Sequence, residues 1–205
     1  MRALLGLLLL LLPLATAVPA LAQERVIVAF GDSLTAGLGV PADRTYPALL
    51  GERLRREGYG YRVVNAGVSG DTTAGGLRRV DWALRLKPEI VILELGVNDA
   101  LRGQSLTSVR ANLDQLVRRF QAAGARVLVA GMRLPPNYGT RYAADFHRLF
   151  GEVAHARNAP LMPFFLEDVG AVPRLNQADG IHPTAEGYAI VVDRLWPYLV
   201  PLLRK

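Results

Sequence analysis

The sequence predicts a three-layer α/β/α sandwich built on a parallel sheet. Three observations lead there. From residue 25 onward, short β-branched runs alternate with longer segments of helical period. The strand-like runs are mostly continuous apolar stretches rather than alternating in and out, the pattern of strands covered on both faces. Hydrophobic residues make up 51% of the 205 and charged residues 20%, enough to bury one large core.

Each element has its own signal. The first strand is Val26-Ile27-Val28-Ala29-Phe30, and the second is Tyr61-Arg62-Val63-Val64-Asn65. Ile90-Val91-Ile92-Leu93-Glu94-Leu95 and Arg126-Val127-Leu128-Val129-Ala130 follow, with a weaker fifth at Leu161-Met162-Pro163. The clearest helix covers residues 105–123. There Leu106, Val109, Leu113, Leu116, Val117 and Phe120 form one stripe, and Gly124 supplies the stop. Further helices are expected over residues 45–57, 72–87, 142–157 and 184–203, the second of them closed by Pro88. Crossovers between the strands are expected to be right-handed. No repeat or linker divides residues 23–205, which read as a single domain.

The first 22 residues stand apart. Arg2 precedes a Leu-rich run over residues 3–12, then Pro13, then small residues ending Ala20-Leu21-Ala22. A basic start, a short apolar core and an A-x-A site are the layout of a secretory leader, with cleavage expected after Ala22. An uncleaved anchor is the competing reading, because residues 3–22 carry no charge; Pro13 interrupts the run before it reaches bilayer length. The expected location is periplasmic or secreted. The chain has no Cys, which excludes a disulfide framework, a Cys nucleophile, a thiolate zinc site and a lipid-anchored N-terminal Cys. The formal charge of +6 is spread along helix faces (Arg53, Arg55, Arg56; Arg78, Arg79; Arg118, Arg119), with no block of like charge and no nucleic-acid motif. No nucleic-acid partner is expected, and at most transient contact with anionic lipid.

Ligands of parallel sheets bind where loops leave the carboxyl ends of the strands. Gly31-Asp32-Ser33-Leu34 follows the first strand, and Ala66-Gly67-Val68-Ser69-Gly70-Asp71 the second. Gly96-Val97-Asn98-Asp99 follows the third, and Asp179-Gly180-Ile181-His182-Pro183 comes after the fifth and a long loop. One rim thereby receives a hydroxyl, a Gly backbone, an amide and an Asp/His pair, the parts needed for acyl transfer. A serine hydroxyl needs a base to take its proton, and imidazole is suited to that task near neutral pH. Asp179, three residues before His182, is close enough to hold the Nδ1 side of the ring. Backbone N–H groups at Ser33 and Gly67 and the side chain of Asn98 are candidates for receiving the oxyanion.

These blocks resemble the GDSL, or SGNH, hydrolase family, defined by Ser, Gly, Asn and His in that order, here Ser33, Gly67, Asn98 and His182. The likeness spans the whole chain after the leader. Arg133-Leu134-Pro135-Pro136-Asn137-Tyr138-Gly139 and Pro163-Phe164-Phe165 resemble signatures of the TesA-type periplasmic esterase/thioesterase/lysophospholipase group within that family. The family often has Gly-Gly-Asn-Asp in its third block, where this chain has Val97 in place of the second Gly. The resemblance implies a flavodoxin-like five-stranded sheet, a metal-free Ser33–His182–Asp179 triad, and hydrolysis of acyl esters and thioesters; no cofactor is expected, and a monomer is expected with dimerisation left open. It further implies that the 133–139 loop lines the acyl groove, with Pro135, Asn137 and Tyr138 assigned to substrate.

Plainer readings compete. Alone, Ser33 would be a helix N-cap. Asp32 and Asp99 read as structural, each able to cap the helix behind it. His147 and His155 fall on a solvated helix face, without metal-ligand spacing. The glycines at 67, 70, 75 and 76 lack phosphate-loop spacing, and no G-x-S-x-G occurs. A deacetylase acting on a carbohydrate or cell-wall polymer would use the same triad, and a binding module on an inherited scaffold would use none of it.

Overall fold

The structure, a computed structural model, describes residues 24–205. The expected leader, residues 1–22, lies outside the described residues. Five parallel strands form one sheet: β1 (Arg25–Gly31), β2 (Tyr61–Gly67), β3 (Ile90–Glu94), β4 (Arg126–Ala130) and β5 (Leu161–Met162), in the order β2-β1-β3-β4-β5. β1 is flanked by β2 and β3, with Gly31 opposite both Gly67 and Glu94. The order reverses at β1, so a crevice opens at the carboxyl ends of β1 and β3.

Among the described residues, six helices lie between the strands and a seventh follows β5: α1 (Ser33–Ala36), α2 (Tyr46–Arg56), α3 (Thr73–Arg85), α4 (Val97–Leu101), α5 (Leu106–Ala122), α6 (Thr140–Ala156) and α7 (Ala185–Leu199). α3 packs on α5 and α5 on α6, while α2 packs on α7, which gives the sheet its two helical covers. The expected stripe of α5 is the buried one: Val109, Leu113, Leu116, Val117 and Phe120 all face the sheet. Phe120 meets Phe30 of β1 edge-to-face at 5.3 Å, and on the other cover Tyr46 meets Phe165 at 5.1 Å. Truncating a wholly buried ring such as Phe120 to Ala costs about 3–5 kcal/mol. α3 begins where Thr72 Oγ1 accepts from the Gly75 N–H, and α7 where Thr184 Oγ1 accepts from the Gly187 N–H.

Three expectations change. β2 is an edge strand, with Arg62 and Asn65 exposed, so its pattern is not that of a strand covered on both faces. The last helix ends at Leu199 and tightens into a 3-10 turn over Val200–Leu202, because Pro201 has no N–H with which to continue the ladder. α1 and α4, four and five residues long, were anticipated only as helices that Ser33, Asp32 or Asp99 could cap and were given no bounds, because neither is long enough to show a helical period.

Candidate active site

The turn that carries Ser33 is built from the sequence upward. β1 ends at Gly31, and Asp32 caps α1 by accepting from the Leu34 N–H at 3.0 Å. Ser33 is therefore the first residue of the helix rather than its cap. His182 comes from the loop between the 3-10 turn Pro173–Leu175 and α7, folded as a narrow hairpin. Thr184 N–H donates to Leu175 O, and Gln177 N–H to His182 O, at 2.8 Å each. The Gln177 side chain then donates to Leu38 O at 2.7 Å, tying this loop to the segment that follows α1. Gln177 was not singled out in the sequence, where nothing distinguishes it from any loop amide.

The loops converge. Ser33 Oγ lies 2.8 Å from His182 Nε2, and His182 Nδ1 lies 2.7 Å from Asp179 Oδ2. A carboxylate only accepts, so the ring proton sits on Nδ1 and Nε2 accepts from the serine hydroxyl. The other Asp179 oxygen takes the backbone N–H groups of Ile181 and His182, at 2.9 and 3.0 Å. The His182 and Ile181 N–H groups, followed by the imidazole contact, hold this carboxyl down at about 2.

Asn98, the second residue of α4, donates from Nδ2 to Asp32 Oδ2 at 2.9 Å. That bond leaves its second amide proton for another acceptor. Asp32 is wholly buried, and burial pushes its carboxyl up to about 6, against the lowering effect of its hydrogen bonds. Beneath it lies Glu94, the last residue of β3, whose Oε2 accepts from Thr35 Oγ1 at 2.9 Å and from the Asp32 N–H at 3.4 Å. Burial, then the Asp32 charge, raises the Glu94 carboxyl well above the usual range. Its Oε1 has no partner among the described residues, which also favours the neutral acid. The signal for Glu94 was present in the sequence as one acidic residue in an otherwise apolar strand.

Gly67 requires a correction. Its N–H donates to Asn65 Oδ1 at 3.0 Å, and a Cβ there would meet Ala36 N at 2.1 Å. Gly67 is thus the contact through which β2 packs on α1, and its N–H is already paired. In the loop that follows, Val68 N–H goes to Gly31 O, Asp71 N–H to Val68 O and Thr72 N–H to Asp71 Oδ1. Gly70 makes no such bond through its N–H among the described residues. Its φ of +78° suits glycine, and its carbonyl is held by Arg102, just past the end of α4, at 3.0 Å.

Two further readings shift. Asp99 lies inside α4 and caps the start of α3, accepting from Thr73 N–H at 2.8 Å and Thr73 Oγ1 at 2.7 Å. His147 is half-buried, with Nδ1 3.3 Å from Met132 O, and joins α6 to the loop after β4; His155 is exposed as expected. Pro135, Asn137 and Tyr138 lie in that loop, residues 131–139, at the carboxyl end of β4. All three are exposed, and no hydrogen bond links them to the triad among the described residues.

The profile of the GDSL-like Lipase/Acylhydrolase family matches residues 29–190, which includes all four strand-end blocks. The chain belongs to this family. Among relatives of this GDSL-like hydrolase, Esterase TesA of Pseudomonas aeruginosa is 48% identical over 183 residues, 89% of this chain and 91% of the relative. Thioesterase 1/protease 1/lysophospholipase L1 of Escherichia coli is 38% identical over 89% of this chain and 86% of its own length. A crystal structure of TesA superposes with a TM-score of 0.85 at 47% identity, covering 87% of this chain and all of the other. The esterase EstA from Pseudoalteromonas, in a structure inhibited by monoethylphosphonate, superposes at 0.82 with 34% identity, covering 87% and 98%. The fold is that of the SGNH hydrolases, and this GDSL-like hydrolase is an ester hydrolase.

Proposed function

We propose that the chain hydrolyses acyl esters and thioesters through an acyl intermediate on Ser33. The observation that carries this is the continuous line from Ser33 Oγ to His182 Nε2 at 2.8 Å and from His182 Nδ1 to Asp179 at 2.7 Å. Ser33 Oγ attacks the carbonyl carbon as His182 Nε2 takes its proton. Asp179 holds the ring and stabilises the imidazolium. The imidazolium returns the proton to the departing alcohol or thiol, leaving acyl-Ser33. Water then gives a proton to His182, attacks the acyl carbon and releases the free acid, and Ser33 regains its proton.

The oxyanion is received by the Ser33 N–H, the second Asn98 amide proton and the Gly70 N–H, with Gly70 taking the role first assigned to Gly67. Supporting this are the paired N–H of Gly67 and the Arg102 bond that holds Gly70 against the helix carrying Asn98. The acyl chain lies toward the 133–139 loop, where Pro135, Asn137 and Tyr138 contact it. Leu38, Val68 and Ile181, all well exposed and in loops bonded or adjacent to the triad loops, supply apolar surface. The inhibition of EstA by a phosphonate fits a serine nucleophile. Triad chemistry discriminates little between oxygen and sulfur leaving groups, so both substrate classes are assigned. The enzyme acts as a monomer on small acyl substrates, without nucleic acid, and residues 1–22 direct it to the periplasm or the medium.

The test is turnover of Ser33→Ala and parent across p-nitrophenyl esters of increasing acyl length, acyl thioesters and acetylated sugars. Loss of about 10³-fold or more on acyl esters and thioesters alike is expected. Parent-like turnover by Ser33→Ala would overturn the mechanism, and turnover confined to acetylated sugars would overturn the substrate class.

A further inference from the structure

The three loops that carry the proposed oxyanion donors are tied to one another in pairs. Asp32 holds Asn98, which joins the loop after β1 to α4. Asp99 holds Thr73, and Arg102 holds the Gly70 carbonyl, which joins α4 to the loop after β2. The remaining side of the triangle, between the loop after β1 and the loop after β2, is spanned by one side chain on α3.

That side chain is Arg79. Its Nη2 donates to Gly31 O at 2.9 Å, its Nη1 to Ala66 O at 2.8 Å and its Nε to Asp71 Oδ2 at 2.6 Å. Its guanidinium lies over the Phe30 ring, 3.8 Å from the centroid. Gly31 stands two residues before Ser33, while Ala66 and Asp71 stand on either side of Gly70. The one plane of the guanidinium therefore touches the chain just before the nucleophile and on both flanks of the glycine loop. The side chains of Arg79 and Asp71 are only 19% and 9% exposed, so the pair is weakly screened by solvent. The Val68 N–H also donates to Gly31 O, but it fixes only the first residue of the glycine loop.

We infer that Arg79 is a positioning residue for the oxyanion pocket, setting the distance between the Ser33 loop and the Gly70 loop. The inference rests on the proposed roles of Ser33 and Gly70. Arg79 touches no substrate; it acts by fixing where two backbone N–H donors point. Its planar fork is what the task requires, because three acceptors in different directions must be met at once. Lysine, a point charge with no fork, reaches them less well. Misplacing a donor by about 1 Å is enough to cost about 10²-fold in rate. Donors that meet the developing oxyanion act on the transition state more than on the bound substrate, so the loss falls on kcat rather than KM.

The experiment uses Arg79→Lys, Arg79→Met and Asp71→Asn in the full chain. It reads kcat and KM on a p-nitrophenyl acyl ester, the inhibition constant of a trifluoromethyl ketone, which forms a tetrahedral oxyanion adduct with a serine, and the thermal melting transition. Arg79→Met should lower kcat about 10²-fold with KM within about threefold of the parent, and Arg79→Lys and Asp71→Asn should fall between. The inhibition constant should rise in step with the loss of kcat/KM across the set. Folded variants that keep parent kcat, or change KM alone, would overturn the inference. So would a ketone affinity that does not follow kcat/KM, or loss of the melting transition in all three variants, which would make Arg79 a staple of the fold. Ser33→Ala in the same assay separates the two levels. If it turns over like the parent, the reading of the site fails. If it is inactive while the Arg79 variants are unimpaired, only the role of Arg79 fails.

Discussion

Asp32 Oδ2 accepts a hydrogen bond from Asn98 Nδ2 at 2.9 Å, so the aspartate beside Ser33 serves the amide rather than the imidazole. This bond fixes which way the Asn98 amide faces. The oxygen must turn away from the carboxylate, and the second N–H is set by the plane of the group. Asn98→Ala removes that donor and leaves Asp32 one partner short. The expected result is a fall in kcat of about 10²–10³-fold with KM little changed, read from steady-state kinetics on an aryl ester. A rise in KM at constant kcat would assign Asn98 to ground-state binding instead.

Burial of Asp32 also predicts how stability follows pH. Its carboxyl goes from 3.8 in the unfolded chain to about 6 in the fold, so between those values the native state holds more proton than the unfolded state. Stability from this group is therefore present at acid pH and lost as pH rises through about 6. Asp32→Asn abolishes that dependence. The melting temperature of Asp32→Asn relative to the parent should become more favourable from pH 4 to pH 7, whatever its offset. A difference that is flat or moves the other way would mean that Asp32 is not held above its ordinary value.

Fold and site were legible in the sequence to different depths. The sheet was readable because β1, β3 and β4 each hold an unbroken apolar run that is buried, and α5 because its stripe is regular. Ser33, His182 and Asp179 were readable because each follows a strand or closes a loop at the same rim. Gly67 was read as an oxyanion donor because a string of residues does not show which N–H is already paired. The side chain of Asn65, two residues earlier, takes it. Arg79, counted in the sequence among the charges of a helix face, is instead mostly buried, and was misread for a related reason. On the helix it is one of many arginines, and only the meeting of β1 and β2 gives it three acceptors.

Glu94 separates two effects that usually occur together, a buried charge and a buried acceptor. With its carboxyl pushed well above the usual range by burial, it acts as an acceptor for Thr35 Oγ–H and the Asp32 N–H. Gln offers the same acceptor without an ionisable group, so Glu94→Gln should melt at or above the parent at pH 7. Glu94→Ala strands both donors and opens a cavity, and should cost about 3 kcal/mol or more. Denaturant unfolding of the two variants measures the contrast, and equal losses would show that the charged form of Glu94 supports the fold.

Asp179 carries the opposite sign. Its carboxyl falls from 3.8 to about 2, chiefly because the His182 and Ile181 N–H groups point at it. Its contribution to stability is present above about pH 4 and lost as pH drops toward 2, and solvent screening keeps it small, because the side chain is 45% exposed. The larger consequence is catalytic. In Asp179→Asn the amide oxygen can keep the two backbone bonds, which presents an NH2 group to His182 Nδ1. The ring must then leave Nδ1 bare and carry its proton on Nε2, where it can no longer accept from Ser33. Turnover should fall by about 10³–10⁴-fold while the melting temperature at pH 7 stays close to the parent's. Paired kinetic and melting measurements test this directly. A variant that keeps its turnover would show that the carboxylate is not what orients the ring.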